Sequence, residues 1–339
     1  MISVYLCVLV LFPLIALIGT RKADAGTTDT LITKSDSAYL RGISALFVVF
    51  AHYFIFSEKE GVKFNSIIQF AVDQIGGIGV LLFFFVSGYG VYFSYKNRKP
   101  TLDFLLRRVK TVYIPYVIIK LVFLVVNLIL NRVESIPKAI FYIITVEDWF
   151  IHVILILYIL FFVFWKLDKR KLFIATLISN AALPVIYILL ERPIGFFNAL
   201  WLFTAGMFMA EAREAINKLF QTKLFVKIAI CFVAFVGLGL IFALFKGAMW
   251  ANIFKPAAGV AICLGIIGLL KVIKLNSFII NEVGKRSLYY YIVHIAVWNF
   301  MDSFSFVPRF WISLSLTVIV VELMYRCVNL VVNKNTSKG

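Results

Sequence analysis

The sequence is poor in the residues that metal and redox chemistry demand. It has three histidines and four cysteines, with no HExxH and no CxxC spacing, so no metal site is expected. Cys7, Cys231, Cys263 and Cys327 all lie in apolar segments and read as small buried hydrophobes. Charge is scarce as well. Only 15% of the residues are Asp, Glu, Lys or Arg, against 62% apolar, whereas an ordinary soluble domain is about a quarter charged. Internal repeats and low-complexity segments are missing, and no polar stretch is long enough for a soluble domain. Any function therefore resides within, or at the faces of, an apolar assembly.

What the sequence does contain is a series of apolar runs long enough to cross a bilayer, with a mean hydropathy of +0.97. They predict an all-α, polytopic membrane helix bundle. Eleven spans are expected, at about 2–19, 40–57, 76–95, 112–130, 149–165, 172–190, 194–210, 224–245, 250–270, 287–302 and 310–330. Alternate connecting segments carry roughly 22 Lys and Arg against about 8 on the other side, which puts the basic segments in the cytoplasm. The N-terminus is then external, the C-terminus cytoplasmic, and segments 58–75 and 131–148 are the longer external loops. The net charge of +17 follows from these loops. Without a basic-aromatic stripe or a recognisable motif, nucleic acid is not an expected partner; the lipid bilayer is. Ala23-Asp24-Ala25 resembles a signal-peptidase site, but no Lys or Arg precedes the first apolar run, and an uncleaved helix is expected. The chain divides into an N-terminal helix and linker (1–34), a transmembrane domain (35–332) and a short tail (333–339).

Ionisable residues inside apolar helices are functional candidates. Arg41 opens the run RGISALFVVFAH and His52 closes it. At 100° and 1.5 Å per residue, eleven steps return to about the same face roughly 16 Å along the axis. A snorkelling arginine and a packing histidine explain each separately; one shared stripe favours a joint site. Ser87 lies in GGIGVLLFFFVSGYG (76–90), whose glycines let backbones or a ligand come close. Arg107, Arg108 and Lys110 precede Pro115 in FLLRRVKTVYIPYVI and match the phosphate oxygens of a cytosolic ligand. His152 and Trp149 stand at the outer end of their helix, where a sugar face can stack. His294, about seven residues into its span from the cytoplasmic side, lines the donor path or simply packs, Lys120 snorkels or meets a buried acid, and Glu322 with Arg326 forms an i, i+4 pair.

These runs, together with DWFIHVILILYILFF (148–162), FFNALWLFTAGMFMA (196–210) and VGKRSLYYYIVHIAV (283–297), resemble the acyltransferase-3 family over about residues 35–330. The resemblance implies ten family-like transmembrane helices, to which residues 2–19 add one. It implies a membrane enzyme that O-acetylates carbohydrates with acetyl-CoA as donor. The family's Arg-x10-His pair falls on Arg41 and His52, its serine-glycine pair on Ser87 and Gly88, and its basic motif on Arg108, with Thr111 where a second arginine stands and Lys110 beside it. His52 is then the general base, with Arg41 and Ser87 completing the catalytic group. Arg41, Arg107, Arg108 and Lys110 hold the coenzyme A phosphates. Gly88, Trp149, His152 and His294 line the acceptor, a cell-envelope polysaccharide or lipid-linked glycan. Many members carry a fused extracytoplasmic esterase-like domain, so a separate partner enzyme is possible here. The competing reading is a carrier or flippase for such a glycan; the common transporter type would show two similar halves.

Overall fold

The computed structural model describes residues 1–23, 30–191, 200–245 and 249–334. The linker residues 24–29, the first part of the expected 194–210 span with Phe196–Ala199, and the tail from 335 lie outside the described residues. In chain order the helices are α1 (Ile2–Leu17), α2 (Lys34–Lys59), α3 (Ser66–Tyr95), α4 (Leu102–Ile129), α5 (Ile136–Ile144), α6 (Trp149–Phe164) and α7 (Lys169–Leu189). They continue as α8 (Leu200–Glu211), α9 (Arg213–Leu219), α10 (Leu224–Leu244), α11 (Phe254–Leu270), α12 (Phe278–Lys285), α13 (Ser287–Phe300) and α14 (Phe306–Lys334). Two short strands, β1 (Arg21–Lys22) and β2 (Ile273–Lys274), pair antiparallel and tie the α1 exit to the α11–α12 connection.

A helix stands at each of the eleven expected positions. Among the described residues, eight helical segments are long and apolar enough to cross a membrane. The others, α1, α8 and α13, are shorter. The chain is a multi-pass membrane protein.

The first helix is part of the bundle. Val4, Cys7, Val8, Phe12 and Ala16 are buried, and Phe12 meets Phe47 and Phe50 of α2 edge-on. Tyr39 Oη donates to the Ala16 carbonyl and Ser277 Oγ to that of Ile15. Two π turns, Cys7–Leu11 and Val109–Tyr113, each end two residues before a proline (Pro13 and Pro115). A proline lacks the N–H for the i−4 carbonyl and crowds it, and widening the preceding turn accommodates both effects.

Segment 131–148, expected as an external loop, contains a helix. Ser135 caps it, with Lys138 N–H donating to Ser135 Oγ, and Pro137 stands in its first turn. There its fixed φ starts a helix rather than breaking one. Ile136–Phe164 is consequently one apolar stretch of 29 residues, interrupted only at Thr145–Asp148, where Val146 has a φ of 56°.

Close helix contacts depend on glycine. Gly88 of α3 abuts the Phe203 carbonyl of α8, and Gly206 of α8 abuts that of Phe85, so a Cβ at either would collide with backbone. Gly284 of α12 stands likewise against the Ala38 carbonyl of α2. Gly88→Ala is therefore expected to destabilise the bundle by about 1–3 kcal/mol, the usual cost of overpacking. Thermal unfolding of the detergent-purified protein reads this as a lowered midpoint; a wild-type midpoint would contradict it.

Candidate functional site

The site is built on α2. Its start is fixed by a capping box: Thr33 Oγ1 accepts from Asp36 N–H at 3.2 Å, and Asp36 Oδ2 accepts from Thr33 N–H at 2.9 Å. The residues before it also fold inward. Leu31 and Ile32 are buried, and their N–H groups donate to Tyr89 Oη. The helix therefore begins at Lys34, six residues earlier than its apolar run suggests. Arg41 and His52 lie on this single rigid rod.

At the outer position of the stripe, two histidines meet. His52 Nδ1 lies 2.7 Å from His294 Nε2 on α13, and the two ring planes are within 4° of parallel. His294 Nδ1 lies 2.8 Å from the Tyr290 carbonyl. A carbonyl only accepts, so His294 Nδ1 carries a proton. In a neutral imidazole the other nitrogen then accepts. His52 Nδ1 is in turn the donor, which leaves the lone pair of a neutral His52 on Nε2. His294 is fully buried, whereas His52 keeps part of its surface exposed and stacks on Phe56, with centroids 5.4 Å apart. Sequence reasoning placed His294 along its span; it did not pair it with His52, 242 residues away.

At the inner position, the basic segment divides. Arg108 turns inward, its guanidinium 4.5 Å from the Tyr158 ring centroid and 5.2 Å from that of Phe104. Arg41 lies within electrostatic reach of both Arg108 and Tyr158. Among the described residues the two guanidiniums have no carboxylate partner, and the buried Arg108 Nε has no hydrogen-bond partner. Arg107 is exposed, with Nη2 donating to Tyr95 Oη at 2.9 Å. Lys110 and Thr111 are exposed on the π turn, and Thr111 Oγ1 donates to the Arg107 carbonyl. Two like charges with an orphaned N–H fit an anionic group such as phosphate. The aromatic planes beside Arg108, from Phe104 and Tyr158, were not anticipated from the sequence.

The remaining expected site residues are spread around this axis. Ser87 is partly buried on α3 and makes no hydrogen bond to either imidazole. Gly88 is occupied by its packing against Phe203. Trp149 opens α6 beside Phe150, whose ring lies 4.5 Å from Tyr291. His152 stands edge-on to Tyr187 of α7, at 6.2 Å, and not with the other two histidines. Lys120 on α4 acts electrostatically on both Asp148 and His294. Glu322 bonds Arg326 at 2.7 Å and also Arg286 of the α12–α13 junction at 2.8 Å.

A family model described as an acyltransferase domain matches residues 36–326, the part of the bundle from α2 through most of α14. The chain belongs to the acyltransferase-3 family. It is a membrane acyltransferase. No curated protein and no solved structure matches it. The match includes Arg41, His52, Arg108, Asp148 and His294, so this acyltransferase carries both ends of the α2 stripe inside its family domain, while α1 precedes it.

Proposed function

We propose that this acyltransferase transfers an acetyl group from acetyl-CoA, entering at the cytoplasmic end, to a hydroxyl of a cell-envelope polysaccharide or lipid-linked glycan. The observation that carries this reading is the hydrogen-bonded series from the Tyr290 carbonyl through His294 to His52. It holds His52 in one tautomer with Nε2 as the base, the arrangement in which an orienting group fixes a catalytic imidazole.

Arg41 and Arg108 hold the donor phosphates, with Arg107 and Lys110 adding positive potential at the same end. When bound, the thioester supplies an activated acyl carbonyl. The roughly 16 Å between Arg41 and His52 along α2 is of the length a pantetheine arm spans. His52 Nε2 takes the hydroxyl proton as the new carbon–oxygen bond forms and gives it to the departing thiolate as the carbon–sulfur bond breaks. Ser87, with no side-chain hydrogen bond among the described residues, is available to the developing oxyanion. The distribution of Lys and Arg supports a cytoplasmic donor side.

The test is mass spectrometry of envelope glycans from cells with and without the chain, paired with release of free thiol from acetyl-CoA by the purified protein. A gain of one alkali-labile acetyl group on a defined sugar is expected. Unchanged acetylation alongside altered glycan export would replace the reading with a carrier.

A further inference from the structure

The break between α5 and α6 buries Val146 and leaves Asp148 partly buried, while Thr145 and Glu147 stay exposed. Lys120 is twelve residues beyond Arg108 on α4, about 18 Å along the axis, and His52 is about 16 Å beyond Arg41 on α2. Because Arg41 and Arg108 lie within electrostatic reach of one another, Lys120 and His52 stand at about the same depth, consistent with the electrostatic effect of Lys120 on His294. Asp148 lies within reach of the same lysine. Backbone without helical hydrogen bonds is tolerated at membrane depth where it is buried in protein or lines a polar cavity.

Asp148 begins α6 at this break. Its carboxylate is approached by the N–H groups of Phe150 and Ile151 and by the Tyr291 hydroxyl. Its Oδ1 is nevertheless buried with no hydrogen-bond partner among the described residues. The Tyr291 ring lies 6.1 Å from that of His294. The Lys120 ammonium rests over Tyr116, 5.7 Å from the centroid, and forms no direct ion pair with Asp148 among the described residues. A helix cap alone does not require this arrangement, since serine or asparagine caps as well without placing a charge in the bilayer. Nor does simple charge neutralisation, which would bring the two ions into contact.

Resting on the acyl-transfer reading above, we propose that Asp148, Lys120 and Tyr291 form the acceptor subsite and bind a second hydroxyl next to the one that is acylated. The acylated hydroxyl donates to His52 Nε2, so it cannot also donate to a carboxylate. Its neighbour donates to Asp148 Oδ1 and accepts from Lys120. The recognised chemistry is thus a neutral vicinal diol, the edge of a sugar ring, and Trp149 beside Asp148 offers an aromatic face for that ring.

The test uses full-length protein in membrane vesicles with labelled acetyl-CoA and, as acceptor, the glycan and lipid-linked glycan fraction extracted from the source cells. Asp148→Asn is expected to raise the acceptor KM by about 10–100-fold, the worth of a buried charge-assisted hydrogen bond, with the acetyl-CoA KM unchanged. Asp148→Asn leaves the Lys120 charge uncompensated and is expected to lower the thermal midpoint, whereas the double variant Lys120→Gln/Asp148→Asn removes both charges together and restores it, yet keeps the raised acceptor KM. An unchanged acceptor KM in Asp148→Asn, or a wild-type KM in the double variant, would overturn the subsite and leave His52 untouched. A wild-type protein that transfers no label would overturn the acyl-transfer reading and the subsite with it.

Discussion

His52→Ala is expected to lower transfer turnover by about 10²–10⁴-fold, the usual contribution of a positioned general base, with the acetyl-CoA KM little changed. The geometry makes the expectation sharper than loss of one histidine. His294 is buried and reaches the reacting atoms only through His52 Nδ1. It is a positioning residue, and its removal should act on kcat. His294→Ala leaves His52 free to rotate and to exchange tautomers, so turnover falls while donor binding persists. His294→Gln retains a side-chain oxygen able to accept from Nδ1–H and should recover part of the loss. Steady-state kinetics on purified variants, with folding checked by thermal midpoint, separate these cases. Full activity in His52→Ala would remove the base role. Equal activities in the alanine and glutamine variants at position 294 would show that His294 only packs.

The second large effect is expected at the other end of α2. Arg41 and Arg108 act electrostatically on one another without acidic partners among the described residues, an arrangement that costs energy unless an anion joins them. Removing either should weaken donor binding by about 10–100-fold, the range for a hydrogen bond to a charged group. The double variant Arg41→Ala/Arg108→Ala should lose most of the affinity. Because relief of mutual repulsion offsets part of the loss, its midpoint should not fall below that of the weaker single variant. Arg108→Lys keeps charge but loses the planar fork and its stacking on Tyr158 and Phe104, so it should behave more like alanine than like wild type. Calorimetric titration of the detergent-solubilised protein with coenzyme A measures this directly. Undiminished binding in the double variant would move the donor site elsewhere.

Several parts of this molecule were legible in the sequence because they depend on neighbours along one chain. Apolar runs set the helices, since backbone polar groups in hydrocarbon must be satisfied within a segment. The eleven-residue spacing placed Arg41 and His52 on one stripe because helical rise and turn are constant. TKSD at 33–36 contains its own cap. Segment 131–148 was harder: Pro137 reads as a loop signal, and only its place in the first turn after a capping serine makes it a helix start. The actual break, four residues at Thr145–Asp148, has no local marker beyond an acidic pair.

Everything that turns the stripe into a site was decided by tertiary structure. His52 and His294 are 242 residues apart, and no periodicity relates α2 to α13. Arg108 rather than Arg107 or Lys110 comes within electrostatic reach of Arg41, because its guanidinium is drawn over the Phe104 and Tyr158 rings, and Tyr158 comes from a separate helix. Asp148 comes within electrostatic reach of Lys120 and beside Tyr291 because three separate helices converge there. The sequence by itself determined a membrane helix bundle with a cation and a base on one rod. Only the fold decided which partners each would have, since a hydrogen bond's geometry is set to tenths of an ångström by packing across helices, and a linear pattern holds no such distances.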